Sequence, residues 1–256
     1  MVLALDVGNS TMAGGVFDGE RLVLQFRQTT NKNATSDEIG IFFRAVLREN
    51  GIDPGAIEDG CCCSVVPPIN YSLSSAFLKY FGIEPLFIQS GIKTGLRLKY
   101  ANPREIGADR IAAAIGAVNR HPGRNLIVID MGTATTVDVV TRDREYMGGA
   151  ILAGLKISVQ ALASGTAKLP MVEIVKPGRI CGQNTIEAIQ SGVFWGNLGA
   201  IKEFCLQYGR QMFGGEKPFV VGTGGFARTF DGFGLFDEIV PELVLQGVKK
   251  ALEMNR

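Results

Sequence analysis

Charge of one sign is missing from this chain: 26 lysines and arginines stand against 25 aspartates and glutamates over 256 residues, a net charge of +1. Such a balance advertises neither a nucleic-acid nor an anionic-membrane partner. Histidine is nearly absent. The single His121 precedes Pro122 in what reads as a connecting loop, which argues against a Ser-His-Asp triad or a histidine-rich metal site and for a surface role. Five cysteines contain no C-x-x-C pair, and three are consecutive at Cys61, Cys62 and Cys63, so a zinc site and a tidy disulfide framework are both disfavoured. Small buried residues on a strand are expected there instead. Long apolar runs are lacking too. Leu126–Ile129 falls far short of the roughly 18 to 20 residues that cross a bilayer, and Met1-Val-Leu-Ala-Leu-Asp6 lacks the basic region of a signal peptide. A soluble cytoplasmic protein is expected. Neither G-x-x-x-x-G-K followed by Ser or Thr nor G-x-G-x-x-G occurs, which disfavours the Walker and Rossmann phosphate sites.

What is abundant is glycine, 33 of 256 residues, against a usual share of about 7%. With 46% hydrophobic and 20% charged residues the chain is globular, and at roughly 150 residues per domain it makes one large sheet or a compact pair. Two short strands, Val2 to Val7 and Thr11 to Asp18, flank Gly8-Asn9-Ser10, and Arg21 to Gln28 completes a meander after the Asp18-Gly19 turn. Thr35 and Glu38 form a capping box ahead of Ile39, Phe42, Phe43, Val46 and Leu47, whose spacing predicts an amphipathic helix ending near Gly51. Strand, helix and strand follow near 61–66, 70–81 and 85–89, then a helix over 104–120 with Ile111, Ile115 and Val118 on one face. His121-Pro-Gly-Arg-Asn125 breaks the pattern.

The first pattern then returns. Asp6-Val-Gly-Asn-Ser-Thr11 and Asp130-Met-Gly-Thr-Ala-Thr135 share Asp, Gly and Thr at the same offsets, and each ends an apolar strand, turns at glycine and enters a second strand. Two similar α/β halves are expected, residues 1–120 and 121–256. The second is completed by a long helical stretch over 184–213, a strand at 217–222 and a final helix from Pro241. A hairpin turn at the end of a buried strand aims backbone N–H groups outward, and Gly8 lets a phosphate approach without a Cβ in the way. Asp6 is then placed to hold a cation or a cation-bound water, and Asp130 to do the same from the other half. The competing explanation is that both aspartates only begin Asx-type turns. Val220-Val-Gly-Thr-Gly-Gly-Phe-Ala227 is a third glycine turn after an apolar strand, open to a flat ring or ribose.

This order of motifs resembles the two phosphate motifs and the adenosine motif of the actin, hexokinase and Hsp70 superfamily. Within it, Asn102-Pro-Arg-Glu-Ile-Gly107-Ala-Asp109-Arg110, Asp130-Met-Gly-Thr-Ala-Thr-Thr136, Gly148-Gly149-Ala-Ile151, Thr166-Ala-Lys-Leu-Pro170 and Gly182-Gln-Asn-Thr185-Ile-Glu-Ala-Ile-Gln-Ser-Gly192 are similar to the type III pantothenate kinases, in the same order. The resemblance spans about residues 3 to 225. Ser10 stands where threonine is common, and Ala153-Gly154 replaces an expected Pro-Gly. The resemblance implies two actin or ribonuclease H-like halves, each a mixed sheet flanked by helices, with the nucleotide in the cleft between them. It implies ATP-dependent phosphorylation of pantothenate to 4′-phosphopantothenate, the first step toward coenzyme A.

The resemblance also assigns roles. Asp109 is the catalytic base. Tyr100, Gly107, Ala108, Asp109, Arg110 and Thr185 contact pantothenate, the last from the neighbouring subunit of a homodimer. Asp6, Val7, Gly8, Asn9, Ser10, Thr11, Met12, Ala13 and Thr133 bind ATP, with Asp6 serving its Mg²⁺ indirectly. Asp130 holds a monovalent cation, K⁺ or NH₄⁺. The residues themselves agree with a site at Asp109: at about 100° per residue it points roughly 160° from Ile111, out of its own helix's core. A solvated acidic residue favoured by the helix dipole would do the same.

Residues 184–213 carry Gly192, Gly196 and Gly199, each costing roughly 1 kcal/mol inside a helix, which close packing against another helix would explain. Two shorter helices broken at a glycine would explain it as well. In the family this region forms the dimer, which would also cover Phe194 and Trp195, expected to be exposed on a monomer. A non-catalytic accessory protein on the same scaffold is the rival from another class. A nucleotide-driven chaperone or exopolyphosphatase is disfavoured by the lack of a substrate-binding appendage.

Overall fold

The computed structural model describes residues 1–256, which divide into two compact units: Met1–Leu96 with Ala101–Gly116 and Leu243–Arg256, and Arg97–Tyr100 with Ala117–Glu242. No helix is long and apolar enough to cross a membrane.

The first unit is built on strands β1 (Val2–Val7), β2 (Thr11–Asp18), β3 (Arg21–Thr29), β4 (Asp59–Ser64) and β5 (Leu86–Phe87), in the order β3-β2-β1-β4-β5. The meander β1 to β3 is antiparallel, and β4 and β5 add in parallel. Leu3, Leu5 and Val7 alternate onto one face with Cys62, where they meet Ile39, Phe43 and Leu47 of α1 (Ser36–Glu49) and Ile69, Leu73 and Phe77 of α2 (Pro67–Phe81). The expected capping box opens α1: Glu38 N–H donates to Thr35 Oγ1 at 3.2 Å, and Thr35 N–H to Glu38 Oε2 at 2.7 Å. Cys61, Cys62 and Cys63 are free and buried as expected, and burial pushes the thiols of Cys61 and Cys62 well up. The 104–120 helix is shorter than its pattern suggested. Asn102 instead caps a single 3₁₀ turn at Pro103–Glu105, Ile106 is extended, and α3 runs Ala108–Arg120.

The last helix, α6 (Leu243–Asn255), belongs to the first unit and packs on β1 and β4. The expected halves, 1–120 and 121–256, would put it in the second. The reason lies in small residues: a Cβ on Gly247 would sit 1.8 Å from the Ala112 carbonyl oxygen of α3, and one on Gly116 would sit 2.4 Å from that of Leu243. The alanine side of α3, beside the face of Ile111, Ile115 and Val118, is therefore buried too, and residues 110–118 are all buried. Gly247→Val is expected to lower the thermal midpoint, since overpacking against backbone costs about 1–3 kcal/mol and often more when nothing can yield. An unchanged midpoint in a calorimetric scan would contradict this packing.

The second unit carries β6 (Arg97–Leu98), β7 (Leu126–Met131), β8 (Ala134–Val140), β9 (Glu145–Ala153), β10 (Phe219–Thr223) and β11 (Glu238–Ile239), in the order β11-β10-β7-β8-β9-β6. Set beside the first sheet, β9-β8-β7-β10-β11 repeats β3-β2-β1-β4-β5 in order and direction. The duplication read from two short motifs is thus carried by the whole topology. One detail differs. Gly8 N–H donates to Thr11 O, whereas Gly132 N–H donates to Ala134 O, so the second turn is one residue shorter, and Thr11 and Thr135 are not equivalent although they align in sequence.

Helices α4 (Leu155–Gly165) and α5 (Thr185–Met212) cover a core of Ile127, Ile129, Met131, Val137 and Val139. Despite three glycines, α5 is one continuous helix of 28 residues. Phe194 and Trp195, expected to be exposed, are not: Phe194 is 1% exposed, stacked on Phe230 at 4.7 Å, and Trp195 meets Phe194 and Phe233 edge-on. Helical periodicity puts Phe194 opposite Gly192, Gly196 and Gly199, which face open space, whereas Trp195 flanks the glycine side and is half-buried against Phe233. His121 is likewise more than a surface residue, lying on the Phe219 ring at 4.4 Å with Nε2 at 2.8 Å from Glu238 Oε2.

Candidate active site

The glycine turns anticipated for phosphate sit where strand ends leave them. In the first unit Asp6 is the penultimate residue of β1, paired with Ala13 and Cys63. The turn beyond it is closed by Gly8 N–H donating to Thr11 O at 3.1 Å. A Cβ on Gly8 would stand 3.2 Å from that same oxygen. Asn9, Ser10 and Thr11 are exposed, while Val7 and Met12 send their side chains into the core, so these two can reach a ligand only through their backbone. Ala13 is half-buried. Sequence reasoning missed Thr30. Its N–H donates to Ser10 O at 3.1 Å and its Oγ1 to Gly8 O at 2.7 Å, which fixes the turn from the end of β3. Only the β2 to β3 register, Thr11 opposite Thr29, could have revealed it.

Asp109 is the second residue of α3, half-exposed, and its Oδ1 accepts from Arg110 N–H at 2.8 Å. Gly107 makes this possible, because a Cβ there would lie 2.4 Å from Asp109 Oδ1. The Gly107-Ala108-Asp109-Arg110 segment is therefore a device that holds a carboxylate at the positive end of a helix. The Arg110 side chain is 7% exposed, deeper than a surface contact requires.

In the second unit Asp130 is penultimate in β7, as Asp6 is in β1, and pairs with Thr136 and Thr223. Two further glycines close around it. Gly224, at φ +87°, would place a Cβ 2.3 Å from Asp130 Oδ1 and 2.6 Å from Met131 N, and Phe226 N–H donates to Met131 O at 3.1 Å. A Cβ on Gly154 would lie 2.2 Å from Thr133 O and 2.8 Å from Gly132 O. Exposed Thr133 is thus held from behind by the N-cap of α4, and replacing the expected Pro with Ala153 leaves the essential glycine in place. The missing Cβ at Gly224 thus lets the turn after β10 close against the Asp130 carboxylate and the Met131 backbone. No group of three or more His, Cys, Asp or Glu side chains is placed to hold a metal ion.

Tyr100 lies with its ring against Gly148, where a Cβ would stand 3.0 Å from Cε2. Thr185 opens α5, and the motif around it is a helix start: Asn184 Oδ1 accepts from Glu187 N–H at 3.0 Å, and Glu187 Oε2 accepts from Gln183 N–H at 2.9 Å. That backbone bond, helped by Arg179 and Asn184, holds the Glu187 carboxyl below its usual range. The Thr185 side chain is exposed at the head of α5.

The solved structures that resemble this chain include a conserved Baf family protein from Campylobacter jejuni (19% identity, TM-score 0.60, covering 99% of this chain and 98% of that one). Another is the activator of 2-hydroxyisocaproyl-CoA dehydratase from Clostridium difficile (13%, TM-score 0.52, 98% and 96%). They show the fold. Among curated proteins, the type III pantothenate kinase of Legionella pneumophila strain Corby is 53% identical over 255 residues, covering 100% of this chain and 99% of its own. That of Elusimicrobium minutum is 48% identical over 256 residues, with the same coverage. Residues 2–207 match the family model described as type III pantothenate kinase, and the chain belongs to that family.

Proposed function

We propose that the protein transfers the γ-phosphoryl group of ATP to the primary hydroxyl of pantothenate, giving 4′-phosphopantothenate at the first step toward coenzyme A, as a cytoplasmic homodimer. The observation that carries this reading is the Asp109 carboxylate, held at the start of α3 by Arg110 N–H and Gly107 in a chain 53% identical over its length to a pantothenate kinase. Phosphoryl transfer asks for an in-line hydroxyl, compensation of charge on the phosphoryl oxygens and a base that orients the nucleophile. Asp109 accepts the hydroxyl proton, Arg110 offsets negative charge, Gly107 and Ala108 shape the approach, and Tyr100 and Thr185 hold the remainder of pantothenate. The Asp6 to Ala13 hairpin and Thr133 supply backbone and hydroxyl donors to the phosphates. Mg²⁺ bound with ATP neutralises phosphate charge, with Asp6 as its protein partner. No observation favours the non-catalytic alternative.

The test is ATP consumption with and without pantothenate, with the product identified by mass; consumption indifferent to pantothenate would refute the reading. Asp130 gives a second check. Turnover is expected to require Mg²⁺ and to be higher in K⁺ or NH₄⁺ than in Na⁺, and Asp130→Asn should remove the monovalent response. An enzyme indifferent to the alkali ion would reduce Asp130 to a turn former.

A further inference from the structure

A fully buried carboxylate sits in the middle of β8. Asp138 is 1% exposed in a strand otherwise made of Ala, Thr and Val, a costly choice unless its oxygens are well engaged. Tyr146 of β9, 0% exposed, donates its hydroxyl to Asp138 Oδ1 at 2.7 Å. The strand register makes room for this: Gly149 lies opposite Asp138, and a Cβ on it would be 2.9 Å from Asp138 Oδ1 and 2.0 Å from Val137 O. The Tyr146 ring in turn packs on Tyr100, with centroids 6.4 Å apart and planes tilted by 49°. The backbone fixes the same pair, since Lys99 N–H donates to Tyr146 O at 2.8 Å, one residue before Tyr100. Gly148, at φ +90°, supplies the flat floor under the Tyr100 ring. Asp138, Tyr146 and Gly148 thus fix Tyr100 from its hydroxyl-bonded neighbour, from its backbone and from beneath.

We infer that Tyr146, held by Asp138, is a positioning residue that sets the orientation of Tyr100 and with it the affinity for pantothenate but not for ATP. The inference rests on the reading of Tyr100 as a pantothenate contact. Asp138 and Tyr146, both fully buried, act on substrate only through Tyr100. Without its hydroxyl, the Tyr146 ring is free to shift in its pocket, and Tyr100 loses a fixed backing while the phosphate turns are untouched.

The experiment is steady-state kinetics on Tyr146→Phe, Gly148→Ala and Tyr100→Ala beside the wild type, with both substrates varied. Tyr146→Phe is expected to raise the pantothenate KM about 3- to 10-fold, the scale of one lost hydrogen bond, leaving kcat and the ATP KM near wild type. Gly148→Ala, whose new Cβ presses on the Tyr100 ring, should show the same split together with a lower melting temperature, because φ is +90° there, and is an independent second readout beside Tyr146→Phe. Should Tyr100→Ala raise the pantothenate KM while Tyr146→Phe and Gly148→Ala leave it unchanged, Tyr146 is core packing only and the inference falls. An equal rise in both KM values would overturn it as well. If Tyr100→Ala itself leaves the pantothenate KM unchanged, Tyr100 is not a substrate contact, and the underlying assignment fails together with the inference.

Discussion

Exchange of Asp109 for asparagine is expected to leave the chain folded and to lower kcat by about 10²- to 10⁴-fold, the usual contribution of a positioned general base. The fold survives because the structural duty of this side chain is to accept a hydrogen bond. The amide oxygen of asparagine can take Arg110 N–H as Asp109 Oδ1 does now, and Gly107 leaves the same room beside it. Half-exposed, the position carries no core packing to lose. What the amide lacks is a lone pair basic enough to receive a hydroxyl proton. The expected signature is a fall in kcat with binding of both substrates retained, read from kinetics alongside a thermal melt. Turnover near the wild-type level would remove Asp109 from the mechanism and leave it a helix-start residue.

Gly196→Leu is expected to turn a homodimer into a monomer. Gly192, Gly196 and Gly199 lie on one side of α5 with nothing within 4 Å of where a Cβ would be, and Leu206 continues the stripe at 47% exposure. Within the chain, then, leucine meets no obstacle, and the helix itself gains roughly 1 kcal/mol of propensity. Any loss must come from outside the chain. Two such faces related by a two-fold axis approach closely only while they lack side chains, so one leucine on each holds them apart. Light scattering should report half the wild-type mass, with a melt no lower than that of an undamaged monomer. If Thr185, with its exposed side chain at the head of the same helix, completes the partner's site, pantothenate affinity should fall while ATP binding is largely kept. A monomeric wild type, or a monomeric variant with intact pantothenate affinity, would sink the shared site.

Local chemistry made much of the fold legible. The β1 to β3 meander, the capping box of α1 and the start of β7 are each written in a few adjacent residues, and all three were readable. Helix α4 was not, because it begins at Gly154 without a capping side chain and buries only Leu155 and Val159. Periodicity identified α5 but not which of its faces was covered: the aromatic pair at Phe194 and Trp195 is packed by Phe230 and Phe233, some 36 to 38 residues away in the chain, a contact no helical pattern encodes. At the site, the aspartates and glycines stood out by type and repetition. Thr30 did not, since its role depends on strand register, and neither did Gly224 as the neighbour of Asp130, since that depends on β10 lying beside β7.

The return of α6 to the first unit sets an order on how the chain can be completed. Synthesis proceeds from the N-terminus, yet the face of β1 and β4 that α6 covers, with Ala4, Cys61 and Cys63 among its buried residues, waits for residues 243–256. The unit begun first is therefore closed last, after every residue of the second has left the ribosome. Until then its apolar face and the thiols of Cys61 and Cys63 stand open to water, to chaperones and to oxidants. Small residues on α3 and α6 have a further meaning in this light: they let a late helix slide into a slot too narrow for any earlier segment of bulkier sequence to occupy.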